Sequence, residues 1–165
     1  MRIRDAREAD LPRLLEIYNH YIEHTPITFD LEPQSLETRR VWFDAFDPAT
    51  RHRLFVVTDA DDRVEGYASS RAFRVKAAYD RSVETSIYLA PECVSKGLGS
   101  DLYAHLLTAL EAAPLVHRAY AGVTVPNEPS EALHQKLGFK RVGTYSEVGF
   151  KFGRYWDVAW FERSV

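Results

Sequence analysis

The chain has 165 residues, enough for one domain around one sizeable core. Hydrophobic residues make up 45% and charged residues 27%, and 21 basic against 24 acidic side chains leave a formal net charge of -3. This is a soluble, globular balance with no basic excess to drive nucleic-acid binding, and no run approaches the roughly 18 apolar residues of a membrane-spanning helix. The lone Cys93 excludes an internal disulfide and a four-cysteine metal cluster. Because Met1 to Asp5 also lack an apolar signal segment, a reducing cytoplasm is the expected location.

Residues 2–8 predict a short edge strand. Asp10 then reads as a helix N-cap with Pro12 in the first turn. Leu11, Leu14, Leu15, Tyr18 and Ile22 follow at helical spacing, which predicts an amphipathic helix ending near Thr25-Pro26. Pro33 and Ser35 introduce a second, weaker helix carrying Trp42 and Phe46. Leu54 to Val57 predict a buried strand, Asp59 to Asp62 a polar turn, and Val64 to Phe73 its hairpin partner. In Ser82 to Ala90, Val83, Thr85, Ile87 and Leu89 share one face and Glu84, Ser86 and Tyr88 the other. Leu98, Leu102, Leu106 and Leu110 mark a further helix, and His117 to Val125 a further strand. Asn127 and Pro129 open a short helix that Gly138 closes. The aromatic, glycine-punctuated tail from Phe139 to Trp160 predicts two final strands. The element order points to a mixed α/β sheet covered by helices in a single domain, residues 1–165.

One segment carries a chemical signal. Ser95-Lys96-Gly97-Leu98-Gly99-Ser100 joins a predicted strand directly to a predicted helix. The first helical N–H groups have no internal partner, and the helix dipole adds partial positive charge there. Glycines permit positive φ and close approach, so the turn can hold a diphosphate, with Lys96 and Ser100 adding side-chain contacts. A plain strand-to-helix turn is the competing reading. The triphosphatase loop does not fit, because Lys96 precedes its glycines. The dinucleotide fingerprint does not fit either, because position 102 is Leu where a third glycine is required.

The window Val94 to Gly99 resembles the diphosphate loop of the GNAT acetyltransferases, Gln/Arg-x-x-Gly-x-Gly/Ala, with Val94 in place of the opening Gln or Arg. The similarity extends along nearly the whole chain to one branch, the phosphinothricin acetyltransferase family. It is carried by Tyr18-Asn19-His20-Tyr21-Ile22, Thr28-Phe29, Glu32-Pro33-Gln34, Ala78-Tyr79-Asp80, Val83-Glu84-Thr85-Ser86-Ile87-Tyr88, Leu133-His134, Leu137-Gly138-Phe139, Gly149-Phe150-Lys151 and Trp156-Asp157-Val158. The resemblance implies a GNAT fold of the α/β (α+β) class. Its central sheet is expected to be mixed, mostly antiparallel, flanked by helices and splayed near the loop. It also implies acetyl-CoA as co-substrate, a small acidic amino-acid-like amine as acceptor, and a homodimer.

Carried over residue by residue, the resemblance makes Glu84 the general base that takes the amine proton. On strand pattern alone Glu84 also reads as a surface carboxylate. His134 stands where many GNAT enzymes carry a tyrosine that protonates the leaving thiolate. It is assigned to that role or to assisting Glu84, with a structural histidine as the alternative. The loop residues Ser95, Lys96, Gly97, Leu98, Gly99 and Ser100 are expected to hold the CoA diphosphate. Asn127, Ser130 and the backbone of Ile87, Tyr88 and Leu89 are expected to hold the pantetheine arm, with one N–H, that of Leu89, serving the oxyanion. Arg74 and Lys76 are the implied cations for the acidic substrate, and Phe29 and Tyr79 the pocket walls; two solvated loop cations are the alternative.

Arg81 stands where close relatives carry an aromatic residue, which leaves the choice between phosphinothricin, methionine sulfoximine and another small amino acid open. The remaining histidines, His20, His24, His52, His105 and His117, lack metal-ligand spacing, so no metal is expected. Cys93 is not needed for direct attack by an amine, and Trp42, Trp156 and Trp160 are expected in core or dimer packing. Two other functions stay in view: acetylation of a different amine, such as a peptide N-terminus or a polyamine, and a non-catalytic acyl-CoA sensor.

Overall fold

The computed structural model describes residues 1–94 and 97–165. Ser95 and Lys96, both assigned above to the diphosphate loop, lie outside the described residues. The elements in chain order are β1 (Arg2–Asp5), α1 (Leu11–His24), α2 (Leu36–Phe43), β2 (Leu54–Thr58), β3 (Val64–Ala72), β4 (Ser82–Leu89), α3 (Leu98–Ala112), β5 (Arg118–Val125), α4 (Glu128–Lys136), β6 (Lys140–Lys151) and β7 (Arg154–Ser164).

The strands form one sheet in the order β1-β2-β3-β4-β5-β7-β6. All neighbours are antiparallel except β4 and β5, which are parallel. Leu54 to Val57 of β2 are all apolar because both faces of the strand are covered. Phe55 and Val57 pack with Leu102, Tyr103, Leu106 and Leu110 of α3. Leu54 and Val56 pack with Leu14 and Ile17 of α1 on the other side. Helix α3 therefore fills one face of the sheet and α1 the other.

The feature that creates a site is the way β4 and β5 part. They pair only at Ser82↔Arg118, Val83↔Ala119 and Glu84↔Tyr120. Beyond Glu84 the ladder ends, although β4 runs to Leu89 and β5 to Val125. Backbone groups of residues 85–89 on the β5 side thus have no strand partner, and buried backbone groups demand one. The expected splay is present, and α3 is the next helix after β4, reached through a 3₁₀ turn at Pro91–Cys93.

Some local expectations are corrected. The first strand stops at Asp5, because Glu8–Asp10 form a 3₁₀ turn that leads into α1. Asp10 makes no side-chain cap on α1. Its carboxylate accepts from the Arg7 N–H (2.7 Å) and from both Nη atoms of Arg4 (2.7 and 2.9 Å), pinning the turn to β1. Ser35 caps α2 as expected, accepting from the Thr38 N–H at 3.1 Å, but Phe46 lies past the helix end. The closing strands run on to Ser164, since β7 pairs along the whole of β5.

Candidate active site

Two concave regions flank β4. The first is the cleft where β4 and β5 diverge, lined by Thr85, Ser86, Ile87, Tyr88, Gly122, Thr124, Asn127, Ser130 and His134. At its end lies the α3 N-terminus. Gly97 has φ of +78°, a left-handed conformation that strains any residue with a Cβ. Gly99 does not share this property; it is the second residue of α3 and is buried against Leu89, Leu133 and Ile87. Ser100 donates its backbone N–H to the Gly97 carbonyl (3.1 Å), and its hydroxyl accepts from Lys136 Nζ at 3.1 Å. Lys136, which was not singled out from the sequence, thus brings a cation beside the loop. Asn127 caps α4, its side-chain oxygen accepting from the Ser130 N–H at 3.2 Å. The Tyr21 hydroxyl donates to the Leu89 carbonyl at 2.7 Å, tying the end of β4 to α1.

The second region is a cavity of about 880 Å³ on the α1/α2 side, lined by Glu84 and Ser86 of β4, by Arg71 and Phe73, and by Arg74, Lys76 and Tyr79 of the loop before β4. The structure thus brings together Glu84, Arg74, Lys76 and Tyr79 in one place. Glu84 Oε2 lies 3.9 Å from Arg74 Nη1, with both side chains partly exposed. Burial raises the Glu84 pKa, and the nearby Arg74 and Arg71 charges oppose that rise. Burial thus makes this carboxylate more basic than it would be beside the cations alone, as a proton acceptor requires. Arg74 is held over the Phe73 ring (4.0 Å) and bonds the Phe73 carbonyl at 2.7 Å. Phe73 stacks on Tyr120 of β5.

Phe29 does not line this cavity. Its ring lies against Gly149 of β6, where a Cβ would overlap it, and Lys151 Nζ holds the same loop by donating to the Thr28 carbonyl at 2.8 Å. A flat ring needs the bare glycine beneath it, and that contact turns Phe29 toward the closing hairpin. Trp42, expected in core or dimer packing, packs against the buried cluster that includes Leu14, Ile17 and Tyr67, and it also lines the cavity, with the Arg39 guanidinium 3.4 Å from its ring centre.

His134 is buried, and both ring nitrogens are engaged. Nδ1 lies 2.7 Å from the Ser130 carbonyl, which can only accept, so Nδ1 carries the proton. Nε2 then accepts from the Tyr103 hydroxyl at 3.2 Å, and Tyr103 lies 2.6 Å from the Thr85 hydroxyl. Burial lowers the His134 pKa, opposed by the Ser130 bond. Thr85 points to the α3 side and its neighbour Glu84 to the cavity, so the two titratable groups lie on opposite faces of β4. His134 therefore lies across β4 from Glu84 and lines the cleft instead. The sequence pattern marks Thr85 only as a strand-face residue and does not single out Tyr103.

The cavity also contains groups that the sequence reading missed. Tyr18 donates to Asp30 at 2.9 Å and lies 2.8 Å from the Thr28 hydroxyl, and burial pushes its phenol up to about 12. Gln34 Nε2 donates to the same Asp30 oxygen at 2.9 Å. Asp30 is thereby occupied by two donors. His52 lines the cavity too, and burial lowers its pKa. Among the described residues no cluster of His, Cys, Asp and Glu is arranged to hold a metal, and no helix is long and apolar enough to cross a membrane. Cys93 is buried, with its thiol directed at the Glu65 carboxylate, away from both regions.

A sheet opened between two parallel strands, with a glycine-started helix at the mouth and a carboxylate across the strand, defines an acyl-CoA-dependent transferase. The family model described as an acetyltransferase (GNAT) domain matches residues 3–160, and the chain belongs to that family, on its phosphinothricin acetyltransferase branch. A phosphinothricin N-acetyltransferase of Streptomyces coelicolor is 52% identical over all of this chain and 96% of its own. An L-methionine sulfoximine/L-methionine sulfone acetyltransferase of Pseudomonas aeruginosa is 37% identical over 99% of this chain and 94% of its own. Among solved structures, a phosphinothricin acetyltransferase from Sinorhizobium meliloti in complex with acetyl-CoA superposes with a TM-score of 0.93 at 33% identity, covering 99% of this chain and 88% of that one. The protein is an N-acetyltransferase that uses acetyl-CoA.

Proposed function

We propose that this enzyme, a single domain over residues 1–165, acetylates the α-amino group of a small amino acid with an acidic or oxygen-rich side chain, of the phosphinothricin or methionine sulfoximine type. The observation that carries the reading is the meeting of one unclamped carboxylate, Glu84, with Arg74 and Lys76 in a cavity separated from the CoA cleft only by β4. The cations suit an acidic substrate and oppose a polyamine, which would need carboxylates in their place.

In this reading the diphosphate of acetyl-CoA rests on the α3 N-terminus at Gly97, Leu98, Gly99 and Ser100, with Ser95 and Lys96 completing the loop. The pantetheine arm lies along the open edge of Ile87, Tyr88 and Leu89 and reaches Asn127 and Ser130. The amine gives its proton to Glu84 and attacks the thioester carbon. The tetrahedral oxyanion is met by a β4 backbone N–H, that of Leu89, and the C–S bond then breaks. The thiolate takes a proton on the side where His134 and Tyr103 sit. Arg74 and Lys76 hold the substrate anion, with Tyr79 as a wall. Every step is a direct transfer, so Cys93 carries no acyl group and no metal is required.

The enzyme is further proposed to be a cytoplasmic homodimer. Val142, Tyr145, Val148 and Phe150 of the edge strand β6 and Tyr155 of β7 are all more than half exposed. An apolar edge strand of this kind is stable in solution when covered. The function is tested by following thiol release from acetyl-CoA with a panel of amino acids. Release that depends on phosphinothricin or methionine sulfoximine supports the reading. Binding of acetyl-CoA without amine-dependent release would leave a sensor.

A further inference from the structure

The Arg39 guanidinium is only 2% exposed, yet among the described residues no carboxylate pairs with it. Its one hydrogen bond to the protein is from Nη2 to the Tyr67 hydroxyl at 2.7 Å, and Nε has no acceptor. Its other contacts are the faces of Trp42 and Tyr18, 3.4 and 4.5 Å from the ring centres. A buried cation without an anion is costly, and Arg is the side chain least able to escape by losing its proton. Stacking on aromatic faces offsets only part of that cost.

The group is not sealed in the core. It lines the same cavity as Glu84 and Arg74. Gln34 lines the same cavity, and its Oε1 is a second buried orphan, an acceptor without a donor. Gln34 cannot flip to cure this, since its Nε2 already donates to Asp30. The cavity lining therefore includes a residue with an unpaired donor and one with an unpaired acceptor, and polar ligand groups satisfy atoms of this kind.

The sheet register gives the spacing. Arg71 pairs with Glu84, and Tyr67, which holds Arg39, pairs with Tyr88. The two levels are four residues apart, about 13 Å along the strand before side chains reach inward. The cavity thus has two cationic ends, Arg74 with Lys76 at the level of Glu84 and Arg39 at the other.

Resting on the function proposed above, we infer that Arg39 binds the oxygen-bearing head group at the far end of the substrate side chain, so the enzyme selects amino acids carrying a second acceptor group remote from the acetylated amine. A short amino acid cannot touch both ends. A thioether or alkyl side chain of equal length reaches the same end but leaves Arg39 unpaired, and a site built to hydrogen-bond a group discriminates strongly against its absence.

The test compares methionine sulfoximine, methionine sulfone and methionine, which share a chain and differ in head-group oxygen and nitrogen. Wild-type enzyme is expected to prefer the oxidised pair by about 100-fold or more in kcat/KM. Arg39→Met is expected to lower kcat/KM on that pair by about 10- to 100-fold, leave methionine within a few-fold, and change KM for acetyl-CoA less than twofold. Arg39→Lys keeps a charge over Trp42 but lacks the planar fork, and should lose selectivity in the same direction if the Met variant does not fold. Equal losses on methionine and its sulfoximine, or unchanged selectivity in the folded variant, would overturn the Arg39 assignment alone. Wild-type enzyme inert towards all three and towards phosphinothricin would overturn the broader function together with it.

Discussion

Glu84→Gln is the most informative single change. Glutamine keeps the shape and the hydrogen-bonding oxygen but cannot accept the amine proton. The cavity offers no substitute carboxylate among the described residues, because Asp30, the other one in its lining, is held by Tyr18 and Gln34. His134 is on the far face of β4 with both nitrogens engaged. The full general-base contribution should therefore be lost, about 10²- to 10⁴-fold in kcat, or about 3–5 kcal/mol at 1.36 kcal/mol per decade. Stability should hardly move. The pair with Arg74 is 3.9 Å apart and partly exposed, a geometry worth roughly 0–1 kcal/mol. The assay is thiol release from acetyl-CoA with methionine sulfoximine, run across pH with a thermal melt alongside. In the wild type, kcat/KM should fall as pH drops through the raised Glu84 pKa, because only the carboxylate accepts a proton; the variant should lack that limb. A folded variant with kcat within a few-fold of wild type, or with the acid limb intact, would refute the assignment.

Further predictions follow from the same geometry. Arg74→Ala should raise KM for the amino acid far more than KM for acetyl-CoA, and should move the acid limb to higher pH, since it removes the nearest charge opposing the Glu84 rise; steady-state kinetics with each substrate varied would check both. Gly97→Ala places a Cβ at φ +78°, costing roughly 1–2 kcal/mol. It should raise the Kd of CoA in calorimetry with little change in the amino-acid KM. His134→Gln should flatten the stability profile as pH falls through and below 6.5. Burial lowers the His134 pKa below its ordinary 6.5, so the unfolded chain binds more protons there and wild-type stability falls as pH drops through 6.5; urea melts at several pH values would show it. Phe150→Glu on the exposed edge strand should give a monomer in sedimentation if β6 forms the homodimer contact.

The fold was legible wherever a local pattern decided it. Leucine spacing located α3, alternation located β4, and Asn127 with Gly138 bounded α4. The family resemblance supplied the splay and placed Glu84, Arg74, Lys76 and Tyr79, which the structure gathers in one cavity. What sequence could not supply was set by long-range register. Arg39 sits in a weak, charged helix and reads as a solvated side chain. Only the packing of α2 over β3 buries it against Tyr67, 28 positions away. Tyr103 and Thr85 looked like ordinary helix and strand residues, and their link to His134 needs three separate elements. Phe29 was misplaced for a similar reason: Gly149, which receives its ring, lies 120 positions further along the chain. Asp10 illustrates a local miss, where a nearby arginine on β1 outcompeted the helix N-terminus for the carboxylate.

The central claim is that acetyl-CoA held in the β4–β5 cleft delivers its acetyl group to an amine beside Glu84. Its most direct test is a single reaction of pure protein, acetyl-CoA and methionine sulfoximine or phosphinothricin, with thiol and product both quantified. One N-acetylated amino acid formed for each CoA released, and none without the amine, is the predicted outcome. Tight binding of acetyl-CoA with no amine-dependent thiol across the amino-acid panel would contradict it.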